Sequence, residues 1–239
     1  LPACGGSDSG DSSSGTTATT GATGQTGGTT ATTAASGGAA GAQQVAAPSC
    51  IVKPELTEGP FFVDGKLNRA DIRTDPSDGS TTPGVPLRLA FRVARLGSGG
   101  CTAYANTTVD VWHCDAAGVY SDVTANNSAG KKFLRGYQTT DSNGLASFIT
   151  IYPGWYQGRA VHIHFKIRTP EGMDFTSQLF FDETLNDQVF TRAPYNSRSG
   201  NRTRNSSDGI FRQAGNDLLL SATPDGQGYA STFEIGLQA

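Results

Sequence analysis

Two of the three histidines in the chain stand one residue apart, in the run His162-Ile163-His164. On a β-strand, residues i and i+2 point to the same face, so both imidazoles would project to one side of a sheet and Ile163 to the other. Neutral imidazole nitrogens are common metal ligands, and two on one strand form a clamp for a single ion. The spacing therefore indicates metal chemistry, although two ordinary histidines on a half-exposed strand would show the same pattern.

Several sequence blocks flank this histidine pair. They read TEGPFF at 57–62, VDVWH at 109–113, GVY at 118–120, LRGYQTTD at 134–141, TIYPGWY at 150–156 and SQLFF at 177–181. Together with Arg159, these blocks closely resemble the intradiol ring-cleavage dioxygenases, a non-haem Fe(III) family that includes the catechol and protocatechuate dioxygenases. The resemblance covers about residues 54–181, and it is closest to exported enzymes of a single domain.

The resemblance implies one ferric ion in the catalytic domain. The implied ligands are Tyr120, Tyr156, His162 and His164. Phenolates are hard anionic donors that favour the ferric state, whereas a site of two histidines and one carboxylate suits Fe(II). A tyrosine normally titrates near pH 10, so the charge of the ion is what makes it a phenolate at neutral pH.

The resemblance also assigns roles around the metal. Tyr156 would leave the metal and take up a proton from the substrate, while Arg159 and Gln178 match family positions that flank the substrate and stabilise charge on its ring. Pro60 and Trp155 would contribute to the walls of the substrate pocket. The implied reaction cleaves a catechol-type diol with O2, between the two hydroxyl-bearing carbons, to give a muconate-type diacid. The sequence does not rank catechol, protocatechuate and hydroxyquinol as substrates.

Two other functions compete with this interpretation. The first is a three-histidine zinc enzyme that uses His113 together with His162 and His164, which would leave both tyrosine blocks unexplained. The second is a non-catalytic surface lipoprotein with a transthyretin-like sandwich, because the strand-turn-strand pattern of residues 109–148 fits that class as well. Read from the sequence, His113 is a structural residue that follows Trp112 on a strand.

The elements that must position these residues are predicted to be β-strands. Apolar or β-branched residues recur with period two at 85–94, 107–114, 145–152 and 160–167, and further strands are expected at 176–181 and 230–237. Gly- and Asp-rich turns separate them. No stretch carries the sustained 3.6-residue period of a capped helix, and residues 186–225 are expected to wrap the sheets irregularly. The sequence thus predicts a mainly all-β fold, a β-sandwich of antiparallel or mixed sheets with long loops.

The composition excludes two classes of function. Charged residues make up 16% of the 239 residues and the net charge is -3, with no basic block. Nucleic-acid binding requires clustered Lys and Arg, so no nucleic-acid partner is expected. No apolar run approaches the roughly 18 residues of a membrane span, so no part of the chain is expected to cross a bilayer.

Residues 1–47 differ in composition from the predicted catalytic domain at 48–239. All but three of residues 5–41 are Gly, Ser, Thr or Ala, which predicts a disordered linker because such residues bury too little surface to offset the entropy of ordering. In front of it, Leu1-Pro2-Ala3-Cys4 resembles the lipobox of bacterial lipoproteins. We therefore expect an exported protein whose membrane contact is a lipid anchor at Cys4. The sequence leaves open which cysteine pair forms a disulfide, and it leaves the oligomeric state open.

Overall fold

The computed structural model describes residues 49–238, and within this range it contains nine β-strands and two short α-helices. The strands are β1 (Pro86–Gly97), β2 (Gly100–Ala103), β3 (Thr108–Trp112), β4 (Arg135–Thr139), β5 (Leu145–Ile151), β6 (His162–Arg168), β7 (Asp174–Phe180), β8 (Thr223–Asp225) and β9 (Gly228–Gln238). The helices are α1 (Glu183–Val189) and α2 (Phe211–Ala214), and short 3₁₀ turns lie at Thr124–Asn126, Tyr195–Ser197, Asn205–Ser207 and Gly215–Leu218. The predicted all-β class is confirmed.

The strands of the described range form two sheets. The larger sheet has the order β2-β1-β9-β8, and β5 pairs with β1 on the same side as β2. The smaller sheet has the order β4-β3-β6-β7. The β1–β9 pair is parallel and the other strand pairs are antiparallel, so the larger sheet is mixed, as the sequence predicts.

The main core lies between the two sheets. Phe91 on β1, Phe165 on β6 and Phe233 on β9 meet there, with ring centroids 5.3 to 5.9 Å apart. On β6, Ile163, Phe165 and Ile167 are fully buried on this inner face. Because side chains alternate along a strand, the histidines of β6 must point away from this core. Because the apolar residues of β6 occupy the face toward the core, its histidines lie on the opposite, outer face of the sheet.

Residues 54–64 cover the outer face of the smaller sheet. Their backbone is bonded to β7 through the amide of Leu56, which donates to the carbonyl of Thr176 (3.0 Å). Two ion pairs connect the same segment to β6, one between Glu58 and Lys166 and one between Asp64 and Arg168. This cover buries the histidines of β6, which an uncovered outer sheet face would leave exposed.

The structure corrects several predicted boundaries. Helix α1 was not expected, and it begins at the N-cap Asp182, whose side chain accepts from the amide of Thr184 (2.8 Å). Its 7 residues are too few for a 3.6-residue period to stand out in the sequence. Strand β2 begins at Gly100, in the Gly-rich segment between the predicted strands at 85–94 and 107–114 where a turn was expected. Strands β4 and β8 lie in segments where no strand was predicted. Residues 186–225 are irregular as expected, apart from these short elements.

A disulfide joins Cys50 to Cys101, with the two Cα atoms 5.5 Å apart. This disulfide identifies the cysteine pair that the sequence leaves open. Cys114 is a buried free thiol. The predicted lipobox cysteine Cys4 and the predicted linker lie outside the described residues, so both stay predictions. Within residues 49–238, no helix has the length and apolar character needed to cross a membrane.

Candidate metal centre

Four side chains converge on one point at the outer face of the smaller sheet. The Nε2 atoms of His162 and His164 lie 3.0 Å apart. The Oη atom of Tyr120 lies 3.1 Å from His162 Nε2, and the Oη atom of Tyr156 lies 3.3 Å from the same nitrogen. Two imidazole nitrogens and two phenol oxygens thus meet within hydrogen-bond distance, and they are the four ligands that the sequence resemblance implies.

Strand β6 and its neighbours orient the two imidazoles. His164 lies in register with Trp112 on one side and with Gln178 on the other, and its ring stacks on the indole of Trp112 at 5.0 Å and 9°. The Nδ1 atom of His162 donates to the carbonyl of Ala160 (2.6 Å). This bond fixes the tautomer of His162, so its Nε2 presents a lone pair to the other three donor atoms.

Tyr120 stands in the long β3–β4 loop, which polar side chains hold in place. The hydroxyl of Ser128 donates to the carbonyl of Tyr120, and the hydroxyl of Ser121 donates to the carbonyl of Phe133 (2.6 Å). The buried guanidinium of Arg135 donates to the carbonyls of Ser121 and Phe61. Arg135 therefore links the loop that carries Tyr120 to the segment that covers the site.

Two glycines allow the tyrosine-bearing loops to touch. A Cβ at Gly118 would lie 2.2 Å from the carbonyl oxygen of Trp155, and one at Gly154 would lie 2.3 Å from the carbonyl oxygen of Asp115. Gly118 also has a φ of +83°, which side chains rarely adopt. The glycines of the GVY and YPGWY blocks are thus explained by a close approach of the two backbones.

Burial keeps all four donors neutral in the absence of a cation. It raises the pKa of Tyr120 well above its usual value and also raises the pKa of Tyr156, which the charge of Arg159 partly offsets. Burial and the charge of Arg159 lower the pKa of His162 to about 3, and burial together with the neighbouring His162 lowers the pKa of His164 well below its usual value. The imidazoles therefore keep free lone pairs, while the phenols need a nearby positive charge to ionise.

This donor set fits a metal cation. Neutral imidazoles supply lone pairs without a charge penalty, and a cation at the centre would provide the positive charge that the two phenols require. Hard phenolate oxygens beside imidazole nitrogens suit ferric iron, the ion implied by the sequence. Because the donors are held by a strand, by two packed loops and by the covering segment, the site is preorganised on rigid elements.

Arg159 and Gln178 lie at the edge of the same centre. The Nη1 group of Arg159 donates to Tyr156 Oη (3.3 Å), and its Nη2 group donates to Gln178 Oε1. The amide nitrogen of Gln178 in turn donates to the carbonyl of Thr57 (2.8 Å). The structure thus brings together both predicted charge-stabilising residues, one of the tyrosines and the covering segment.

The two predicted wall residues take different places. Pro60 is exposed, next to Phe61, whose ring stacks on Tyr120 at 4.4 Å and meets Tyr156 edge-on at 6.0 Å. The guanidinium of Arg198 covers the indole of Trp155 at 3.8 Å, beside a polar cavity of 540 Å³. Within residues 49–238, no side-chain hydrogen bond or ring contact connects Pro60 or Trp155 to the four donor groups. Their roles as wall residues therefore stay predictions.

In the sequence, Phe61 stands out only as one of residues 57–62 near the expected substrate pocket, and Asp208, which bonds to Arg159, is not singled out. Phe61 carried a usable signal, because it lies inside the TEGPFF block that the resemblance includes. Asp208 carried only the local signal of a helix cap, and its partner stands 49 residues earlier in the chain. Long-range ion pairs of this kind leave no periodic trace in a sequence.

His113 does not join the metal centre. Its Nδ1 donates to the carbonyl of Cys114 (2.8 Å), and its Nε2 lies 2.7 Å from the hydroxyl of Thr150. In residues 49–238, no three side chains among His, Cys, Asp and Glu are grouped so that they could hold a metal ion. The structure therefore gives the three-histidine zinc site no support, and it is consistent with His113 as a structural residue.

Comparisons with known proteins agree on one family. A family model described as Dioxygenase matches residues 57–206. In sequence, the chain is 32% identical to catechol 1,2-dioxygenase 2 of Acinetobacter lwoffii, over 54% of this chain and 51% of that protein. The chain thus spans about half the length of the curated relative it matches.

Solved structures show the same likeness. An intradiol ring-cleavage dioxygenase from Tetranychus urticae aligns with a TM-score of 0.71 and 27% identity, over 79% of this chain and 95% of the other. The dioxygenase domain of a carbohydrate-binding protein fusion from Streptomyces sp. SirexAA-E aligns with a TM-score of 0.59 and 28% identity, over 79% and 99% of the two chains. The fold and the matched model define the class of this protein, a dioxygenase. Within that class, the chain belongs to the intradiol ring-cleavage dioxygenase family.

Proposed function

We propose that this protein is a ferric dioxygenase that cleaves catechol-type aromatic diols between their two hydroxyl-bearing carbons, with O2 as the other substrate. The observation that carries the proposal is the convergence of Tyr120, Tyr156, His162 and His164 on one buried point, where the other three donor atoms lie 3.0 to 3.3 Å from His162 Nε2. The product is a muconate-type diacid that contains both oxygen atoms of O2, so the reaction requires no external reductant.

The four converging donors would hold the iron. When bound, a ferric ion supplies a Lewis-acidic centre at which a diol and O2 can react. The two imidazoles would anchor it, because each is held by a packed strand and His162 is also fixed through Ala160. Tyr120 would be a permanent ligand, since it is fully buried under Phe61.

Tyr156 is suited to accept a proton from the diol at its Oη atom. It is the less buried of the two tyrosines, and it stands in a short loop between β5 and β6 rather than on a strand. The guanidinium of Arg159 donates to this oxygen (3.3 Å) and would balance the charge at the site while the proton moves. Tyr156 is therefore the proton acceptor in the proposed reaction. General acid–base catalysis requires such a group to lie within hydrogen-bond distance of the proton that it accepts.

Arg159 and Gln178 would stabilise negative charge on the diol ring. Arg159 is half-buried beside the donors, and Gln178 is fully buried and bonded both to Arg159 and to Thr57. A preorganised cationic donor in a site with little water acts more strongly than in bulk solvent. Phe61 and the covering segment 54–64 would exclude water from the same space.

The test of this function starts with the purified protein. We expect one iron per chain by metal analysis and a red-brown colour from ferric–tyrosinate absorption. We also expect O2 uptake with loss of aromatic absorbance when catechol, protocatechuate or hydroxyquinol is added, and the three rates would rank the substrates. A colourless protein with zinc, or an iron-loaded protein that consumes no O2 with any diol, would contradict the proposal.

We also propose that the enzyme acts outside the cytoplasm. The Cys50–Cys101 disulfide supports this location, because such bonds persist in oxidising compartments and are rare in the cytosol. The lipobox-like sequence at Cys4 supports an anchor at a membrane surface. The predicted linker would then give the catalytic domain a reach of about 35 Å.

A further inference from the structure

Asp208 is a buried carboxylate that bonds to the edge of the metal centre. It is 1% exposed and stands between the 3₁₀ turn Asn205–Ser207 and helix α2. Its Oδ2 atom accepts from Arg159 Nε (2.9 Å) and from the amide of Ala160 (2.8 Å). Its Oδ1 atom accepts from the amides of Ile210 (2.7 Å) and Phe211 (3.2 Å). The carboxylate is thus fully bonded and cannot rotate without breaking several hydrogen bonds.

These bonds determine the orientation of the Arg159 guanidinium. Asp208 holds the Nε side of the group, while Nη1 and Nη2 donate to Tyr156 Oη and Gln178 Oε1. A guanidinium is planar, so fixing the Nε–H direction fixes the direction of the other donors as well. Among residues 49–238, Asp208 is the only carboxylate within ion-pair distance of Arg159.

The same carboxylate also acts on the backbone beside the histidines. It accepts from the amide of Ala160, and the carbonyl of Ala160 accepts from His162 Nδ1 (2.6 Å). Burial opposes ionisation of Asp208, but the amide of Ala160 and the charge of Arg159 outweigh it, so the pKa of Asp208 lies below its usual range. A permanent anion therefore supports both Arg159 and the residue that orients His162.

We propose that Asp208 is a positioning residue for ring cleavage, which holds the Arg159 guanidinium in the orientation that stabilises charge on the diol. The inference rests on the proposed function, and it adds a residue outside the ligand set and the substrate-flanking pair. Asp208 acts through Arg159 and touches neither the donor atoms nor, in this role, the substrate.

A double-mutant cycle tests this role in the iron-loaded protein. Asp208→Asn keeps the size of the side chain and can still cap α2, but it loses the charge that pairs with Arg159. We expect kcat/KM to fall about 10- to 100-fold, because hydrogen bonds between charged groups are among the strong ones. In an Arg159→Ala background, the same change should alter kcat/KM less than about threefold, since the group through which it acts is gone. Full additivity of the two losses would overturn the proposal.

A second readout does not depend on turnover. This readout uses protein loaded with diamagnetic Ga³⁺, because a paramagnetic ferric ion beside Tyr156 would broaden the signal of Arg159. The side-chain Nε–H resonance of Arg159, assigned by its loss in Arg159→Ala, should be sharp and slow to exchange in the wild type. In Asp208→Glu it should be somewhat broader and exchange somewhat faster. It should broaden or exchange rapidly in Asp208→Asn. An unchanged resonance in Asp208→Asn would overturn the inference, whereas a wild type with this resonance and no activity on any diol would contradict only the proposed function.

Two further variants keep the test interpretable. Asp187→Asn is the matched control, because Asp187 pairs with Arg202 and Arg204 at the surface and does not contact Arg159. It should leave both the resonance and kcat/KM unchanged. If Asp208→Asn does not fold, Asp208→Ser is used instead, since serine also caps helices but is too short to reach Arg159. Wild-type behaviour of a folded Asp208→Ser protein would overturn the proposal.

Discussion

The backbone amide of Gly154 donates a hydrogen bond to the carbonyl oxygen of Asp115 across 3.1 Å. This bond joins the loop that carries Tyr120 to the loop that carries Tyr156, and these two loops present tyrosines 36 residues apart in the chain to the same histidine. The two loops approach so closely that neither Gly118 nor Gly154 has room for a side chain.

Gly154→Ala is expected to weaken the metal centre. Its new Cβ would lie 2.3 Å from the carbonyl oxygen of Asp115, so the two loops must separate and Tyr156 must move away from His162. Iron content per chain and the tyrosinate absorption should both fall. Gly99→Ala is the control, because a Cβ there meets nothing within 4 Å. Full iron loading in Gly154→Ala would show that the loop contact does not position the tyrosine.

The ligand variants should separate metal binding from turnover. Tyr156→Phe is expected to retain iron and lose most activity, because three donors remain and the proton acceptor is missing. His162→Ala and His164→Ala should lose iron, since each removes a strand-held nitrogen. Metal analysis and O2 uptake measure both effects, with the half-buried Tyr229→Phe on the larger sheet as the matched control. Equal iron content and activity in all variants would contradict the ligand assignment.

Arg159→Ala and Gln178→Ala should fold and bind iron but turn over slowly. Removing one preorganised donor from an active site typically lowers the rate by about 10²–10³-fold. Steady-state kinetics with the best diol measures the loss, and Arg88→Ala, an exposed arginine paired with Asp225 on the larger sheet, is the control. If either variant fails to fold or to bind iron, its residue is structural and the assigned role is wrong.

The Cys50–Cys101 disulfide should contribute to stability and not to catalysis. It closes a loop of 51 residues, and bonds of this kind stabilise a folded domain by about 2–4 kcal/mol. Cys50→Ser is therefore expected to unfold at a lower urea concentration with unchanged kcat/KM. Reductant should destabilise the wild type and leave Cys50→Ser unaffected. Loss of activity in a folded Cys50→Ser protein would place the disulfide in the catalytic machinery.

The predicted tail should be dispensable for chemistry and required for location. A protein that starts at Pro48 should keep its iron and its turnover, because every proposed ligand lies between residues 120 and 164. The chain of residues 1–239, exported behind a lipoprotein signal peptide, should fractionate with membranes. Two or more acyl chains anchor a protein stably, so Cys4→Ser should release it. If the Cys4→Ser protein stays with the membranes, the predicted lipid anchor at Cys4 is wrong. If the shortened protein loses its iron, residues 1–47 are not merely a linker.

The amino-acid sequence by itself determined the features that depend on local periodicity. Alternation along residues 160–167 predicted that His162 and His164 share a face opposite Ile163, and the structure confirms it. The β class follows from the same two-residue period, since short segments with alternating apolar residues bury one face of a sheet. The tyrosine ligands came from the resemblance of whole blocks, because a single tyrosine in a loop carries no periodic signal.

Only the tertiary structure decided which distant segments meet. The parallel pairing of β1 with β9, the bond between Gly154 and Asp115, the disulfide from Cys50 to Cys101, and the ion pair between Arg159 and Asp208 all join residues far apart in sequence. Local patterns restrict the face that a side chain takes, but they do not select its partner on another segment. That selection depends on the packing of the whole core and on the bonding of every buried polar group, and these energies exist only once the chain has folded.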